Sequence, residues 1–241
     1  MRYVRRFSVI LLLLLLLVIE GVEVLAINTG FSTEELSEKD ISTFITNMNI
    51  SLLVDEPPKA TIECFDVSEN EMIAIGHSAS DKKTISIYSD AGTFLYGYEF
   101  NCNGNFGIEW DADNLIIYFV RSDIAASVNP AGKIECVLKI QNTADNNSYW
   151  NKFVFSTKRS IRDTEYTLKN NMGVFNIFTS SYSQLVATNN GIEHVVYDVN
   201  ATQFAKTIVV FISVLILICI VVFILIFQFA KILKHKAHKK T

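Results

Sequence analysis

Few residues between the two apolar ends of this 241-residue chain have side chains suited to catalysis. Histidine, the commonest general base, occurs there only as His77 and His194, far apart in the sequence. His77 lies in the segment GHSASD, where Ser78, Ser80 and Asp81 would supply the other groups of a hydrolase site. Polar loops of this composition also cap strands, so we expect a solvated turn at His77 and an exposed strand position at His194.

Three carboxylates form a second set of candidates. Glu99, Glu109 and Asp111 would act as acid and base in an enzyme that cleaves glycans, a reaction that requires two carboxyl groups. Asp111, Asp113 and Asn114 also carry oxygen atoms spaced as at the start of a calcium loop. The glycine and the distal glutamate that complete such a loop are missing, so a hairpin turn is the better interpretation.

Motifs and charge exclude other classes of function. No nucleotide-binding, zinc-protease or paired Cys/His metal motif occurs between the apolar ends. We therefore assign no catalytic, cofactor-binding or metal-binding residue, and expect a non-enzymatic protein without a cofactor. Residues 27–206 carry a net charge of about −10, and an acidic domain repels phosphate backbones. Nucleic-acid binding is therefore not expected.

Cysteine usage does not indicate a disulfide framework. Cys64, Cys102 and Cys136 lie between the apolar ends, which is an odd number, and Cys219 lies in the second apolar run. Small buried thiols are the simplest interpretation, and one disulfide between two of the three is the alternative.

Aromatic residues are frequent from 88 to 119. Strand alternation places most of them between packed sheets rather than in an exposed row that binds glycans or peptides.

Two hydrophobic segments at the ends of the chain determine how these residues are positioned. Residues 1–26 have three arginines before about 13 apolar residues, the pattern of a secretory signal. Val24 and Ala26 fit a signal-peptidase site, so a cleaved signal peptide and a retained N-terminal membrane anchor both stay open. Residues 207–230 are uncharged and, as a helix, would extend roughly 36 Å, which is enough to cross a bilayer.

The charges at the ends predict the topology. Five lysines follow the second apolar run in residues 231–241, and the arginines precede the first run. Positive residues stay on the cytoplasmic side, so we expect a cytoplasmic C-terminus at the cell membrane and residues 27–206 outside. His235 and His238 lie in the basic tail. Contact with anionic lipids explains this tail better than metal binding does.

Residues 27–59 are predicted to form a helical linker. Ser32 followed by Glu35 matches a capping box, so a helix is expected to begin there. Apolar residues follow with helical spacing until Pro57 and Pro58, where we place the boundary of the next domain.

Residues 60–199 contain short runs of β-branched and aromatic residues, separated by Asn, Asp, Ser and Gly. Three segments repeat the order strand, polar turn, strand, strand, glycine turn, strand, with the glycine turns at Gly92, Gly132 and Gly191. The first two glycines are 40 residues apart and the last two 59, which we attribute to a polar insertion with a further strand at 153–155. We align the polar turns at residues 68–70, 111–114 and 169–171.

These segments resemble the blades of β-propellers of the NHL and YVTN type, in which an aspartate-glycine turn joins the third and fourth strands. ISIYSDAGTFLYGYEF is the closest match, and the resemblance covers about 140 residues, from 60 to 199. It implies an all-β domain outside the cytoplasm with an incomplete set of about three blades, since closed propellers typically have at least four. A β-sandwich with evenly spaced hairpins is the alternative fold.

Together these features predict a membrane-anchored module for binding or sensing, or an accessory subunit, that contacts membrane lipids and an unidentified protein partner. A cell-surface enzyme acting on glycans is one alternative. A structural assembly subunit is the other, because an unclosed propeller leaves strand edges unpaired. The low proline content and the frequent Ile, Asn and Lys favour a bacterial source.

Overall fold

The computed structural model describes residues 27–79, 82–171, 173–179 and 181–238. The chain is mostly β-sheet, with three antiparallel sheets and one long C-terminal helix, so the predicted all-β class is confirmed. None of the three sheets closes on itself. The signal or anchor expected over residues 1–26 lies outside the described residues.

The described residues form fourteen strands and three α-helices. In chain order these are β1 (Thr33–Glu35), α1 (Glu38–Met48), β2 (Ser51–Leu53), β3 (Ile62–Val67), β4 (Ile73–Ala79), β5 (Lys82–Tyr88), β6 (Phe94–Phe100), β7 (Phe106–Asp111), β8 (Asn114–Phe119), β9 (Ile124–Val128), β10 (Ile134–Ile140), α2 (Ala144–Tyr149), β11 (Lys158–Ile161), β12 (Thr164–Lys169), β13 (Gln184–Asn189), β14 (Ile192–Asp198) and α3 (Asn200–His238). There is also a π-helical turn at Trp150–Val154 and a 3₁₀ turn at Gly173–Phe178.

Each sheet is built on four consecutive strands that form a meander. Sheet I contains β3 to β6, with β2 added beside β6. Sheet II contains β7 to β10, with β1 added beside β10. Sheet III contains β11 to β14, and within the described part of the chain no strand pairs with the outer edge of β14.

Glycine turns join the third and fourth strands of each sheet at the predicted positions. Gly92, Gly132 and Gly191 have φ values of 76°, 80° and 78°, in the left-handed region that a side chain disfavours. The N–H of Gly92 donates to the carbonyl of Ser89, and the N–H of Gly132 donates to that of Asn129. These hydrogen bonds close the turns of sheets I and II.

The third unit begins earlier in the chain than predicted. Its tight polar turn is at residues 162–163, where Arg162 has a φ of 52°, and not at residues 169–171. Residues 170 and 171 instead start the long connection between β12 and β13. The alignment was wrong because the apolar residues 174–178 match a strand in composition, although they form a 3₁₀ turn.

The insertion before sheet III is helical, so the strand predicted at residues 153–155 is wrong. The Thr143 hydroxyl caps α2 by accepting the N–H of Asn146 at 3.2 Å, and α2 continues into the π-helical turn. The rings of Tyr149 and Phe153 stack with 4.8 Å between their centroids, as side chains four residues apart on a helix do. Local capping therefore outweighs the strand propensity of the Phe-rich segment.

The segment 27–59 is partly extended rather than wholly helical. Thr33–Glu35 is a strand, so the helix predicted to begin at Ser32 does not start there. The helix α1 starts after Ser37, whose hydroxyl accepts the N–H of Asp40 at 3.2 Å. A serine with an acidic residue three positions later occurs at both places, so that pattern alone does not locate the start. The strands β1 and β2 pair with sheets II and I.

Sheet I lies between the other two sheets, and both of its faces are buried. One face packs on sheet II and α1 through a core that includes Ile85, Phe100 and Ile117. The opposite face packs on sheet III through a core that includes Phe65 and Leu185. The N-terminal segment and the α2 region cover the remaining face of sheet II. The result is a layered, sandwich-like all-β fold.

The helix α3 follows β14 after a single residue, Val199. Its segment Asn200–Gln228 is long and apolar enough to cross a membrane, and none of its most apolar stretch is buried against the domain. A helix is therefore present where the sequence predicts a membrane span.

Candidate functional site

The first strands of the three sheets meet at Asp66 on β3. Its Oδ2 accepts the backbone N–H of Trp110 on β7 at 2.8 Å, and its Oδ1 accepts the Nε–H of Arg159 on β11 at 2.6 Å. Arg159 also donates to the carbonyl of Phe153 at 2.6 Å. Burial raises the pKa of Asp66, and the Arg159 guanidinium opposes this rise. One carboxyl group therefore joins all three sheets.

A cleft of about 480 Å³ opens beside this junction. The turns after the first strands of sheets I and II line it, together with Ile161 at the end of β11 and Asn28 from the N-terminal segment. Its wall includes five acidic residues, whereas the nearby guanidinium is engaged by Asp66. This charge favours a cationic or hydroxyl-rich ligand. The acidic residues are Asp66, Glu69, Glu109, Asp111 and Asp113.

Glu109 is held by two tyrosines at this cleft. Its carboxyl oxygens accept the hydroxyl protons of Tyr118 and Tyr149, each at 2.5 Å. The Tyr118 hydroxyl also shares a hydrogen bond with the hydroxyl of Thr29 at 2.6 Å. Burial raises the pKa of Glu109, and the two tyrosine hydrogen bonds oppose this rise. Because both oxygens are engaged, Glu109 connects sheet II to α2 and to the N-terminal segment.

The three carboxylates considered for a glycan-cleaving enzyme are only partly brought together. Glu109 and Asp111 line the same cleft, where Asp111 accepts the backbone N–H of Asn28 at 3.0 Å. Glu99 lies on β6 of sheet I, where Lys82 donates to it at 2.5 Å. Glu99 therefore belongs to a different part of the domain.

The segment proposed as the opening of a calcium loop forms the tight turn between β7 and β8. Asp111 and Asn114 are paired across that turn, which agrees with the hairpin interpretation. Among the residues that the structure describes, no group of three or more His, Cys, Asp or Glu side chains is arranged to hold a metal ion.

Ser78, Lys83 and Glu63 form a hydrogen-bonded set on sheet I that sequence reasoning missed. Lys83 Nζ donates to Ser78 Oγ at 2.6 Å and to Glu63 Oε2 at 2.8 Å, and the serine hydroxyl donates to Glu63. A serine beside a lysine is the arrangement of Ser-Lys hydrolases. Here the ammonium is ion-paired and donates both hydrogen bonds, so it has no lone pair to accept the serine proton. Ser78 and Lys83 are paired across the β4–β5 hairpin, so a correct prediction of that hairpin would have placed their side chains together.

His77 is buried, so the solvated turn predicted for it is wrong. It lies in β4 and is 0% exposed. Its Nε2 is 3.4 Å from the hydroxyl of Ser86, and its Nδ1 has no hydrogen-bond partner within the described ranges. Burial lowers the pKa of His77 to about 4. His194 is exposed on β14, as predicted, while Ser80 and Asp81 lie outside the described residues.

The cysteines are all free, so the disulfide considered as an alternative is not formed. Cys64 is buried, and Cys102 and Cys136 are partly buried. Burial raises the pKa of each of these three thiols.

Aromatic residues from 88 to 119 mostly pack in the cores, as expected. Those that are buried are Tyr88, Tyr98, Phe100, Phe106, Tyr118 and Phe119.

The outer edge of β14 is the second candidate surface. Ile192 and Val195 on this strand are 74% and 53% exposed. The equivalent outer strands of sheets I and II are covered, because β2 pairs with β6 and β1 pairs with β10. An uncovered edge presents unpaired N–H and C=O groups to which a further strand can be added.

The acidic cleft and the β14 edge are thus two surfaces, among the residues that the structure describes, where the geometry permits binding. In comparisons with known proteins, no family model, no curated protein and no solved structure matches the chain.

Proposed function

We propose that this chain is a membrane-anchored, non-catalytic binding module that engages a protein partner along the outer edge of β14. One observation carries this proposal: Val199 alone separates the uncovered edge strand from α3. A partner strand paired with β14 is therefore held at the base of the anchor, next to the membrane. Such a module suits an accessory subunit of a membrane complex or a sensing component.

The proposed topology places the β-domain outside the cytoplasm and the end of α3 inside. The uncharged run 207–230 is followed by five lysines, and positive residues flank the cytoplasmic side of membrane spans. The short basic tail then contacts anionic lipids, with each lysine contributing about 1 kcal/mol near the surface.

We further propose that the three sheets act as blade-like units of an open, propeller-like assembly. Each sheet has a four-stranded meander with a glycine turn before its last strand, and the first strands meet at Asp66. Each sheet of this open arrangement has an outer edge strand, as each blade of a closed propeller does. Two of these three outer strands are paired with β1 and β2. The unfilled third edge is what makes β14 the binding surface.

Addition of a strand explains how β14 would recognise a polypeptide. Main-chain hydrogen bonds supply affinity, and the side chains that alternate along the edge supply specificity. Ile192 and Val195 provide exposed apolar contacts on this strand. Charged residues on an edge oppose such pairing, which gives a direct means to test it.

The test is co-purification of the full chain from its native membranes after mild crosslinking. We expect a protein partner to be recovered with the wild type and lost with Ile192→Lys/Val195→Lys. Val54→Lys is the matched control, because Val54 is 77% exposed but follows β2 in sheet I. Equal recovery with both variants would contradict the proposal. Recovery of only a second, differently tagged copy of the chain would favour the structural assembly role.

An enzyme acting on glycans is the second candidate, favoured by the shared position of Glu109 and Asp111 in the acidic cleft. The engagement of both Glu109 oxygens by tyrosines argues against it, since a catalytic acid must reach its substrate. Single replacements of Glu99, Glu109 and Asp111 by alanine separate the two functions. Glycan cleavage that is unchanged in all three variants, or absent from the wild type, contradicts the enzyme hypothesis.

A further inference from the structure

A short apolar turn lies against the beginning of α3. Residues 172–178 read MGVFNIF, whereas connections between strands are usually rich in polar residues and glycine. The ring of Phe175 contacts the rings of Phe204 and Phe211 on α3, with centroid distances of 5.9 and 5.8 Å. The turn therefore extends along the same helix that is apolar enough to cross a membrane.

Polar hydrogen bonds fix the base of this turn to the domain and to α3. Asn170 donates to the carbonyl of Ser181 at 3.1 Å and accepts the N–H of Ser183 at 2.9 Å. Gln203 of α3, which is 4% exposed, donates to the same carbonyl at 3.0 Å. The position of the turn relative to α3 is thus set at its base as well as by Phe175.

The position of Phe211 along α3 gives the depth of the turn. Lys206 is the last charged residue before the uncharged run 207–230. Phe211 is five residues further along, which is roughly 7.5 Å at the rise of an α-helix. The hydrocarbon core of a bilayer is about 30 Å thick, and the run 207–230 is roughly 36 Å long as a helix. If the run is centred in the bilayer, Phe211 lies just inside the boundary of the hydrocarbon core. Phe175 packs between Phe204 and Phe211 at nearly equal distances from both rings, so it lies between their levels, at the boundary itself.

We propose that the Gly173–Phe178 turn inserts into the boundary between the lipid headgroups and the acyl chains, beside α3. This inference rests on the proposed function, in which α3 crosses the membrane. The partner is the lipid surface itself, because residues 170–192 contain no charged side chain that would oppose insertion. The turn is then a second membrane contact, which restrains tilting and rotation of the β-domain about α3.

Quenching of tryptophan fluorescence by brominated phosphatidylcholine tests this inference on the full chain in vesicles. Phe175→Trp and Val174→Trp report on the turn, and Leu217→Trp reports on the middle of the apolar run. Ile192→Trp is the matched control, because Ile192 is 74% exposed at the opposite end of β14 from α3. The wild-type chain, which contains Trp110 and Trp150, supplies the baseline to be subtracted.

We expect the fluorescence added at residues 174, 175 and 217 to be lost in brominated vesicles and that added at residue 192 to be retained. Two turn variants are used so that a folding defect in one, visible by circular dichroism, leaves the other informative. Quenching at residue 217 without quenching at the turn overturns this inference alone. Absence of quenching at residue 217 overturns the proposed anchoring as well. Quenching at residue 192 overturns insertion by the turn in favour of a domain that lies flat on the lipid.

Discussion

Arg159 Nε donates a hydrogen bond to Asp66 Oδ1 over 2.6 Å. The two residues lie on the first strands of sheets III and I and are 93 positions apart in the chain. The side chains are only 17% and 9% exposed, so the ion pair is largely removed from water. Breaking a buried pair leaves an uncompensated charge, which destabilises a fold far more than loss of a surface pair does. This junction of sheets I and III is therefore a sensitive point of the domain.

Replacing Arg159 by leucine is expected to lower the free energy of unfolding by about 3–5 kcal/mol, since the Asp66 carboxylate stays buried without its partner. The measurement is denaturant unfolding of the full chain in detergent, followed by circular dichroism. Lys158→Leu is the matched control, because Lys158 is 58% exposed and pairs with Glu165 at the surface. Its loss should not exceed about 1 kcal/mol. Similar losses in both variants would contradict the importance of the junction.

His77 should make the stability of the fold depend on acid pH. The pKa of this imidazole is lowered from 6.5 to about 4 by burial, so the folded chain holds it neutral. The contribution of neutral His77 to the free energy of unfolding is complete above pH 6.5. It is lost as the pH falls from 6.5 to 4, because the unfolded chain binds the proton more readily than the folded chain does. The total loss corresponds to roughly 3 kcal/mol.

Unfolding free energies of the wild type and of His77→Gln, measured between pH 7 and 4, check this expectation. Asp66 and Glu109, whose pKa values are raised, act in the opposite direction in both proteins, so the difference between the two isolates His77. His194→Gln serves as the control because His194 is exposed. A His77→Gln variant with the same pH dependence as the wild type would argue against a buried neutral imidazole.

Tyr149 and Glu109 should be energetically coupled through their 2.5 Å hydrogen bond. We expect Tyr149→Phe to lower the free energy of unfolding by about 1.5–3 kcal/mol, since the bond involves a partly buried carboxyl group. In a Glu109→Gln background the same replacement should cost about 1 kcal/mol less. A double-mutant cycle from unfolding free energies gives this coupling, and additive losses would exclude it.

The three cysteines of the β-domain should each be reduced. In denaturant without a reductant, Cys64, Cys102 and Cys136 are expected to take up an alkylating label, because all are free thiols. In the folded chain Cys64 should label most slowly, since it is buried and its raised pKa disfavours the reactive thiolate. Mass spectrometry reports both results, and a pair that labels only after reduction would contradict the free state.

The sequence was sufficient to predict features that depend on local chemistry. Gly92, Gly132 and Gly191 mark turns that need a positive φ, and each turn joins the last two strands of a four-stranded meander. The C-terminal helix followed from an uncharged run of sufficient length. These signals work because a backbone conformation or a transfer from water to an apolar environment constrains residue type directly.

Features that depend on competition between neighbouring signals were not predictable. Ser32 and Ser37 offer similar caps, and the pairing of β1 with sheet II decides in favour of Ser37. Residues 153–155 and 174–178 have strand-like composition but form helical turns. The junction at Asp66 was invisible because Arg159 and Trp110 approach it only after three sheets have packed.

The proposed function requires that α3 crosses the membrane, with the β-domain and the tail on opposite sides. The direct measurement is antibody labelling of cells that express the chain with an epitope tag after Thr241. We expect the β-domain to be labelled on intact cells and the tag only after permeabilisation. A tag detected on intact cells, or a chain recovered in the soluble fraction without detergent, would contradict the account.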